Sequence, residues 1–101
     1  MTLDIIIPIF NEEKSIINVV ENLLKLDYEN FIDSYKIIIV DDCSTDNTYK
    51  VVEELTQENK NISLLKHDKN KGKGAAVRTG IESSNGEVIV IQDADLELIP
   101  S

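Results

Sequence analysis

Residues 87–97, Glu-Val-Ile-Val-Ile-Gln-Asp-Ala-Asp-Leu-Glu, pass from an unbroken apolar run to closely spaced acids. Val88 to Ile91 are all β-branched, and a continuous apolar run of this length is typical of a strand buried on both faces of a sheet. We therefore predict a central strand that is covered by helices on both sides. Asp93 and Asp95 follow it, at the end where open α/β sheets bind their ligands.

The spacing of these two acids indicates a metal site. Side chains two residues apart in an extended segment leave on the same side, so Asp93 and Asp95 would converge. Converging carboxylates repel each other unless a cation lies between them, and hard oxygen ligands select Mg²⁺ or Mn²⁺. A solvated acidic turn is the alternative, because Asp-x-Asp alone is a weak motif. A position directly after a buried strand favours the metal site.

Composition indicates one small globular domain. The chain has 101 residues, of which 42% are hydrophobic and 29% charged, which is enough for one core but not for two. A net charge of −9 argues against nucleic-acid binding, so an anionic ligand would need a metal and local cations. Cys43 cannot form an internal disulfide, which suits a reducing, cytoplasmic setting. No apolar run is long enough to cross a bilayer.

Strands alternate with helices along the chain. We predict strands at 3–10, 36–40, 62–65 and 88–91, with helices at 12–26, 49–59 and from 72 to about 85. Asn11 and Asp46 each offer a side-chain oxygen that would cap the helix that follows. The β-α-β-α-β-α-β order predicts a single α/β domain over residues 1–101, with a mostly parallel sheet and helices on both faces.

Polar residues concentrate in four loops, at 8–12, 41–46, 71–78 and 93–97, which we expect to converge on one edge of the sheet. Residues 71–74, Lys-Gly-Lys-Gly, resemble a phosphate-binding loop, because glycines let backbone N–H groups approach an anion and the helix start adds its dipole. They match neither the Walker motif nor the dinucleotide-binding fingerprint. A tight turn with solvated lysines is the alternative.

Three further side chains near these loops need an interpretation. Asp42 is an acceptor-only group that could hold the N–H of a nucleobase, or it could cap a helix, although Asp46 suits that role better. His67 stands alone after a short strand, which is more typical of a structural histidine than of a catalytic one. Cys43 has no histidine or second cysteine near it in sequence and is expected to be a packing residue.

The four blocks, in this order, resemble the donor half of family 2 glycosyltransferases with the Rossmann-like GT-A fold. The resemblance covers essentially the whole chain and rests on residues 7–13 (IPIFNEE), 40–48 (VDDCSTDNT), 70–76 (NKGKGAA) and 92–95 (QDAD). The last two blocks are most similar to the polyprenyl-phosphate sugar synthases, the dolichyl-phosphate mannosyltransferase group. After its acidic motif that group often continues with an aromatic residue, whereas residues 98–100 here are Leu-Ile-Pro.

The resemblance implies a site for a UDP- or GDP-sugar with Mg²⁺ or Mn²⁺. Matching positions imply a nucleoside pocket formed by Pro8, Phe10, Glu12, Val40 and Asp42. They imply a diphosphate site at Asp93, Ala94 and Asp95, with the metal held by Asp93, Asp95 and Glu97. Lys73 and Arg78 are expected near the diphosphate on charge alone. A metal held by these acids would stabilise the charge that develops on the departing phosphate.

The reaction implied is inverting transfer of the sugar to an acceptor such as a polyprenyl phosphate or a saccharide. Family members place the acceptor site downstream of the acidic motif, so we expect a donor-binding half, truncated after that motif, with weak or no activity alone. No residue is assigned as the general base. The full-length protein is expected to be cytoplasmic, with association to the membrane where the acceptor is a lipid. An open sheet edge predicts self-association.

Two other classes of protein compete with this interpretation. A receiver-type phosphoacceptor domain is also α/β and binds Mg²⁺. It would need its acidic pair after the first strand, where this chain has Asn11 and Glu12, and a lone aspartate after the third, where it has His67 and Asp68. The third class is a nucleotide-binding or interaction module without catalytic activity.

Overall fold

The structure is a computed structural model, and it describes residues 1–26, 28 and 32–94. Strands and helices alternate in the order β1 (Thr2–Ile9), α1 (Ile16–Lys25), β2 (Ser34–Asp41), α2 (Thr48–Glu58), β3 (Ile62–Lys66), α3 (Lys73–Ser83) and β4 (Val88–Ile91). The strands form one parallel sheet in the order β3-β2-β1-β4. The predicted α/β fold with a parallel sheet is therefore confirmed.

Helices cover both faces of the two central strands, β1 and β2. Because side chains alternate across a strand, Ile5 and Ile7 of β1 lie on one face and Ile6 lies on the other. The first face packs in one cluster with α1 and α2 side chains that include Val20 and Val52. The second face packs in a smaller cluster that consists of Ile6, Ile38, Val40 and Ala76 of α3. No helix in the described part of the chain combines the length and apolar character needed to span a membrane.

The position of β4 corrects one prediction. Within the described residues β4 pairs only with β1, at the edge of the sheet. Its last three side chains, Ile89, Val90 and Ile91, are 39%, 43% and 42% exposed. Among the described residues β4 is therefore not central and not buried on both faces as expected, because a β-branched run reports strand propensity and not the number of neighbours that cover the strand.

The starts of α1 and α2 differ in how well the sequence predicted them. The N-cap position of α2 is Asn47 rather than the predicted Asp46, but Asp46 Oδ1 does accept the N–H of Thr48, the first residue of α2, at 2.9 Å. The first helix begins at Ile16 rather than at residue 12, and its N-cap position is Ser15. Asn11 lies too far upstream to cap α1, and its side chain has other partners.

The third helix is fixed to the sheet at its middle and at its C-terminal end. Gly80 lies directly against Ile6, since a Cβ at Gly80 would be 2.5 Å from Ile6 Cγ2. Asp4, an acid in an otherwise apolar strand, is buried, and its Oδ2 accepts Ser84 Oγ–H at 2.6 Å and the N–H groups of Asn85 and Gly86 at 3.2 and 3.1 Å. Asp4 therefore closes the turn that leads into β4.

Candidate functional site

A cleft of about 230 Å³ lies at the carboxyl edge of the sheet, beside the ends of β1 and β4 and the start of α3. All four predicted loops contribute to its walls. Seven of the predicted substrate-binding residues line it, namely Pro8, Phe10, Glu12, Asp42, Lys73, Asp93 and Ala94. The strand order thus brings together side chains that are up to 86 residues apart in the sequence, between positions 8 and 94.

The other predicted site residues lie elsewhere. Val40 is fully buried against α3 in the core cluster that contains Ile6 and Ala76, so its side chain belongs to the core and does not line the cleft. Arg78 is exposed on α3 and does not line the cleft either. Asp95 and Glu97, predicted as metal ligands, lie outside the described residues.

Lys73 and Asp93 form an ion pair at the cleft, in which the Lys73 Nζ donates to Asp93 Oδ1. Lys73 is the first residue of α3 and Asp93 follows β4, so the pair joins two elements that meet at this edge. The two side chains are 63% and 58% exposed. Exposed pairs of this kind contribute only about 0–1 kcal/mol, so either partner is available to a ligand at low cost.

Asp42 follows β2 directly and is only 3% exposed, although it lines the cleft. Its Oδ1 accepts the N–H of Lys71 at 2.8 Å and lies 2.7 Å from His67 Nδ1, and its Oδ2 accepts the N–H of Gly72 at 2.8 Å. Burial alone would raise the pKa of Asp42, but the hydrogen bonds from His67, Lys71 and Gly72 outweigh burial and lower the pKa below its ordinary value. Asp42 is therefore an ionised, internally bonded carboxylate.

These hydrogen bonds connect Asp42 to the loop that precedes α3 and not to the start of α2. Gly72 is the N-cap residue of α3 and has a φ of 99°, a conformation that favours glycine. A Cβ at Gly72 or Gly74 would meet no atom within 4 Å, so the outer side of this loop is open. Free N–H groups at a helix start carry partial positive charge and attract anions. The helix-capping alternative for Asp42 is not confirmed, because its two N–H partners, Lys71 and Gly72, precede the first residue of α3 and the helix has no side-chain cap hydrogen bond.

Asn11 links the first two loops of the cleft, a role that the sequence did not predict. Its Oδ1 accepts the N–H groups of Thr45 and Asp46 at 2.8 and 3.3 Å, and its own N–H donates to Ser44 Oγ at 2.9 Å. Asn11 has a φ of 55°, which asparagine tolerates better than most residues. The signal in the sequence was therefore the residue type at a turn, and it was interpreted as a helix cap.

His67 is buried, as expected of a structural histidine, but it contacts a residue of the cleft. Its Nδ1 is 2.7 Å from Asp42 Oδ1 and its Nε2 is 2.8 Å from Thr79 Oγ1. Nothing in the sequence pairs Asp42 with His67, because they belong to different strand ends and only the pairing of β2 with β3 brings them together.

One of the three predicted metal ligands lies within the described residues. Asp93 presents an exposed carboxylate to the cleft, and such a hard oxygen donor fits Mg²⁺ or Mn²⁺. Among the described residues no group of three histidine, cysteine, aspartate or glutamate side chains is close enough to hold a metal ion. Asp93 therefore fits one position in a coordination shell whose other protein ligands would have to come from elsewhere.

A parallel sheet with a polar cleft at its carboxyl edge is the architecture of the GT-A glycosyltransferases, and solved members of that class are similar to this chain. S. aureus TarS 1-349 in complex with UDP-GlcNAc superposes with a TM-score of 0.82 at 29% identity, over 94% of this chain and 27% of that one. Mannosyltransferase PcManGT from Pyrobaculum calidifontis, in complex with GDP-Man and Mn²⁺, gives 0.83 at 29% identity, over 92% and 27%.

The chain belongs to glycosyl transferase family 2, whose profile matches residues 4–101. It is 40% identical to a UDP-N-acetylglucosamine–dolichyl-phosphate N-acetylglucosaminyltransferase of Methanococcus voltae, over 95% of this chain and 42% of the relative. It is 39% identical to a dolichyl-phosphate beta-glucosyltransferase of Dictyostelium discoideum, over 92% and 30%. The resemblance to the polyprenyl-phosphate sugar synthases is thereby confirmed. The chain spans less than half the length of both relatives.

Proposed function

We propose that this chain is the donor-binding half of a family 2 glycosyltransferase, and that it binds a UDP- or GDP-sugar in the cleft at the carboxyl edge of its sheet. The observation that carries the proposal is the cleft itself, which combines an apolar wall, a basic helix start and an exposed acid. The ligands named for two similar structures, UDP-GlcNAc in TarS and GDP-Man in PcManGT, support this ligand class.

Each wall of the cleft suits one part of a nucleotide sugar. Pro8 and the exposed ring of Phe10 offer apolar surface for the nucleoside, and Glu12 lies beside them as an acceptor. In the proposed complex Asp42 lies on the side of the base, and Val40 supports that wall only from within the core. Lys73, the first residue of α3, faces the diphosphate in the proposed complex, because it is positive and lines the cleft, and the partial positive charge of the helix start adds to it. Arg78, five residues further along α3, adds positive charge at longer range.

A divalent metal completes the proposed donor site. Asp93, with Asp95 and Glu97, would hold Mg²⁺ or Mn²⁺. Ala94, between the two aspartates, lines the cleft but is buried in the core cluster that contains Ile9 and Ile16, so it would support the diphosphate side from behind. When bound, the metal supplies charge stabilisation for the departing nucleoside diphosphate. Lys73 adds a second positive charge on the same side and is released from Asp93 as that carboxylate takes another cation. PcManGT, which is in complex with Mn²⁺, supports this part of the proposal.

The proposed reaction is inverting transfer to a polyprenyl phosphate or a saccharide. The names of the dolichyl-phosphate relatives support a lipid phosphate acceptor. We propose that such an acceptor is reached at the membrane, with the chain itself in the cytoplasm. Because the chain spans at most 42% of these relatives, we propose that it has weak or no transferase activity alone. The edge strand β4, with three exposed apolar side chains, supports self-association of the isolated chain.

Isothermal titration calorimetry with UDP, GDP and their sugars, with and without Mn²⁺, tests the donor site. We expect metal-dependent binding by the native chain and its loss in the Asp93→Asn variant. Asp68→Asn is the matched control, because Asp68 is also an exposed aspartate at this edge but does not line the cleft. Metal-independent binding that tolerates Asp93→Asn would favour the non-catalytic module. Labelling of Asp68 by acetyl phosphate, without nucleotide binding, would favour the receiver.

A further inference from the structure

We infer that His67 is a positioning residue: through Asp42 it fixes the backbone of Lys71 and Gly72, and so determines the shape of the diphosphate side of the cleft. The statement about backbone position stands on the geometry alone. The statement about the diphosphate rests on the function proposed above. Neither the acidic motif nor the glycine loop includes this residue.

The first observation is a continuous chain of polar contacts beneath the cleft. It runs from Thr79 on α3 to His67 after β3, at 2.8 Å, and from His67 to Asp42 after β2, at 2.7 Å. From Asp42 it continues to the N–H groups of Lys71 and Gly72, each at 2.8 Å. This series of contacts therefore begins on α3 and ends in the loop that precedes α3, and His67 lies in its middle.

The second observation is that these contacts determine which ring nitrogen of His67 carries a proton. Asp42 is ionised, since its hydrogen bonds lower its pKa, so its oxygens can only accept. His67 Nδ1 must then carry a proton and donate to Asp42 Oδ1. In the neutral ring Nε2 has no proton and accepts from the Thr79 hydroxyl. One ring nitrogen thus contacts a carboxylate and the other contacts a hydroxyl. A histidine that only filled space in the core would need neither contact.

The effect reaches the cleft within one residue. Gly72 has a φ of 99°, a conformation that the two N–H bonds to Asp42 hold in place. The next residue, Lys73, pairs with Asp93 and lines the cleft together with Asp42. Without a donor at position 67, Asp42 would keep its buried charge with one hydrogen bond fewer. The carboxylate would then turn toward other donors or water, and the N–H groups that it holds would move with it.

Nuclear magnetic resonance on the ligand-free native chain gives the first test. His67 is the only histidine of the sequence, so its ring nitrogens are assigned without ambiguity. We expect ¹⁵N shifts of a ring that carries a proton on Nδ1, and slow hydrogen exchange at the amides of Lys71 and Gly72. A ring protonated only at Nε2, or fast exchange at both amides, would overturn the inference before any ligand is added.

A set of three variants then separates the hydrogen bond from simple packing. His67→Asn places an amide N–H near the position of Nδ1 but leaves part of the ring volume empty. His67→Phe fills the volume without any nitrogen, and His67→Gln places its amide nearer to Nε2. We expect His67→Asn to keep the amide shifts of Lys71 and Gly72, and His67→Phe and His67→Gln to lose them. A packing role predicts the reverse order, with Phe closest to the native chain.

The same variants test whether His67 affects nucleotide binding. We expect the Kd for UDP or GDP with Mn²⁺ to rise about tenfold in His67→Phe and less than threefold in His67→Asn, as for the loss of one charge-assisted hydrogen bond. Should the native chain bind no nucleotide, the proposed function fails, while the amide shifts of the ligand-free variants still decide the role of His67. Native affinity and native amide shifts in His67→Phe would refute that role alone.

Discussion

The two ends of α3 are held by the same chemistry and differ in what lies outside them. At the C-terminal end the buried carboxylate of Asp4 accepts N–H groups from Asn85 and Gly86. At the N-terminal end the buried carboxylate of Asp42 accepts N–H groups from Lys71 and Gly72. Asp4 lies near the amino end of β1 and Asp42 follows the carboxyl end of β2. The helix is therefore attached to the sheet by one buried carboxyl group at each end of the central strands.

The difference between the ends lies in the space around the glycines. A Cβ at Gly86 would be 2.8 Å from Asp4 Cγ, so this turn is packed shut. A Cβ at Gly72 would meet nothing within 4 Å, and the exposed pair of Lys73 and Asp93 lies beside it. A carboxylate with several N–H partners therefore does not itself mark a ligand site. Open space and available charges next to that carboxylate distinguish the cleft from the structural turn.

Asp42→Ala is expected to have the largest effect, because it removes both the support of the loop and a wall of the cleft. It would leave two N–H groups and one imidazole without their acceptor, so we expect the free energy of unfolding to fall by about 3–5 kcal/mol. Nucleotide binding should become undetectable. Urea denaturation and calorimetry measure the two effects, and a variant with native stability would contradict the contacts described.

Asp4→Ala should destabilise the protein without affecting the ligand. The N–H groups of Asn85 and Gly86 lose their acceptor near the surface, where water replaces part of it, so we expect a loss of about 2 kcal/mol. At a temperature where the variant is folded, the Kd for nucleotide should stay within about twofold of the native value. A tenfold weaker Kd in folded Asp4→Ala would show that the two ends of α3 are coupled.

Gly80→Ala tests the middle of the helix, between the two ends. The added methyl group would overlap Ile6 Cγ2, and overpacking of this kind costs about 1–3 kcal/mol. Ile6→Ala in the same chain removes the overlapping atoms, so the double variant should be more stable than the sum of the two single losses. Additive losses in denaturant titrations would contradict the close approach of α3 to β1.

The smallest expected effect is on the pH dependence of stability. The pKa of Asp42 is lower in the folded chain than its ordinary value of 3.8, so the unfolded chain binds more protons between the two values. The contribution of Asp42 is therefore complete above about pH 4 and is lost as the pH falls through the folded pKa. The pKa of Asp46 is also lowered, so part of the pH dependence of stability remains when Asp42 is replaced. Urea midpoints at pH 6 and pH 3 should differ less in Asp42→Asn than in the native chain, and equal differences would exclude this contribution.

The order of strands and helices and the convergence of the loops were predictable, because both follow from periodicity and from parallel strand direction. Pro8, Phe10, Asp42 and Asp93 could be placed at one edge for the same reason. The open sheet edge was predicted, but the exposure of β4 was not, since an apolar run does not reveal how much of a strand is covered.

Contacts between residues far apart in the sequence could not be predicted either. The pairing of Asp42 with His67 depends on the register of β2 with β3, and the links from Asn11 to Thr45 depend on the ends of two adjacent strands. Val40 was placed in the site by the family resemblance, as a residue of the matching block 40–48. A residue inside a strand alternates its face, however, and this one turns toward α3.

The most direct test of the proposed donor site is a magnetic resonance titration of the chain with UDP or GDP and diamagnetic Mg²⁺. The amide shifts of Gly72 and Lys73 at one end of α3 are compared with those of Asn85 and Gly86 at the other. A site at the carboxyl edge of the sheet predicts saturable, metal-dependent changes at Gly72 and Lys73 and none at Asn85 and Gly86. Unchanged shifts at Gly72 and Lys73, or equal changes at both ends, would contradict it.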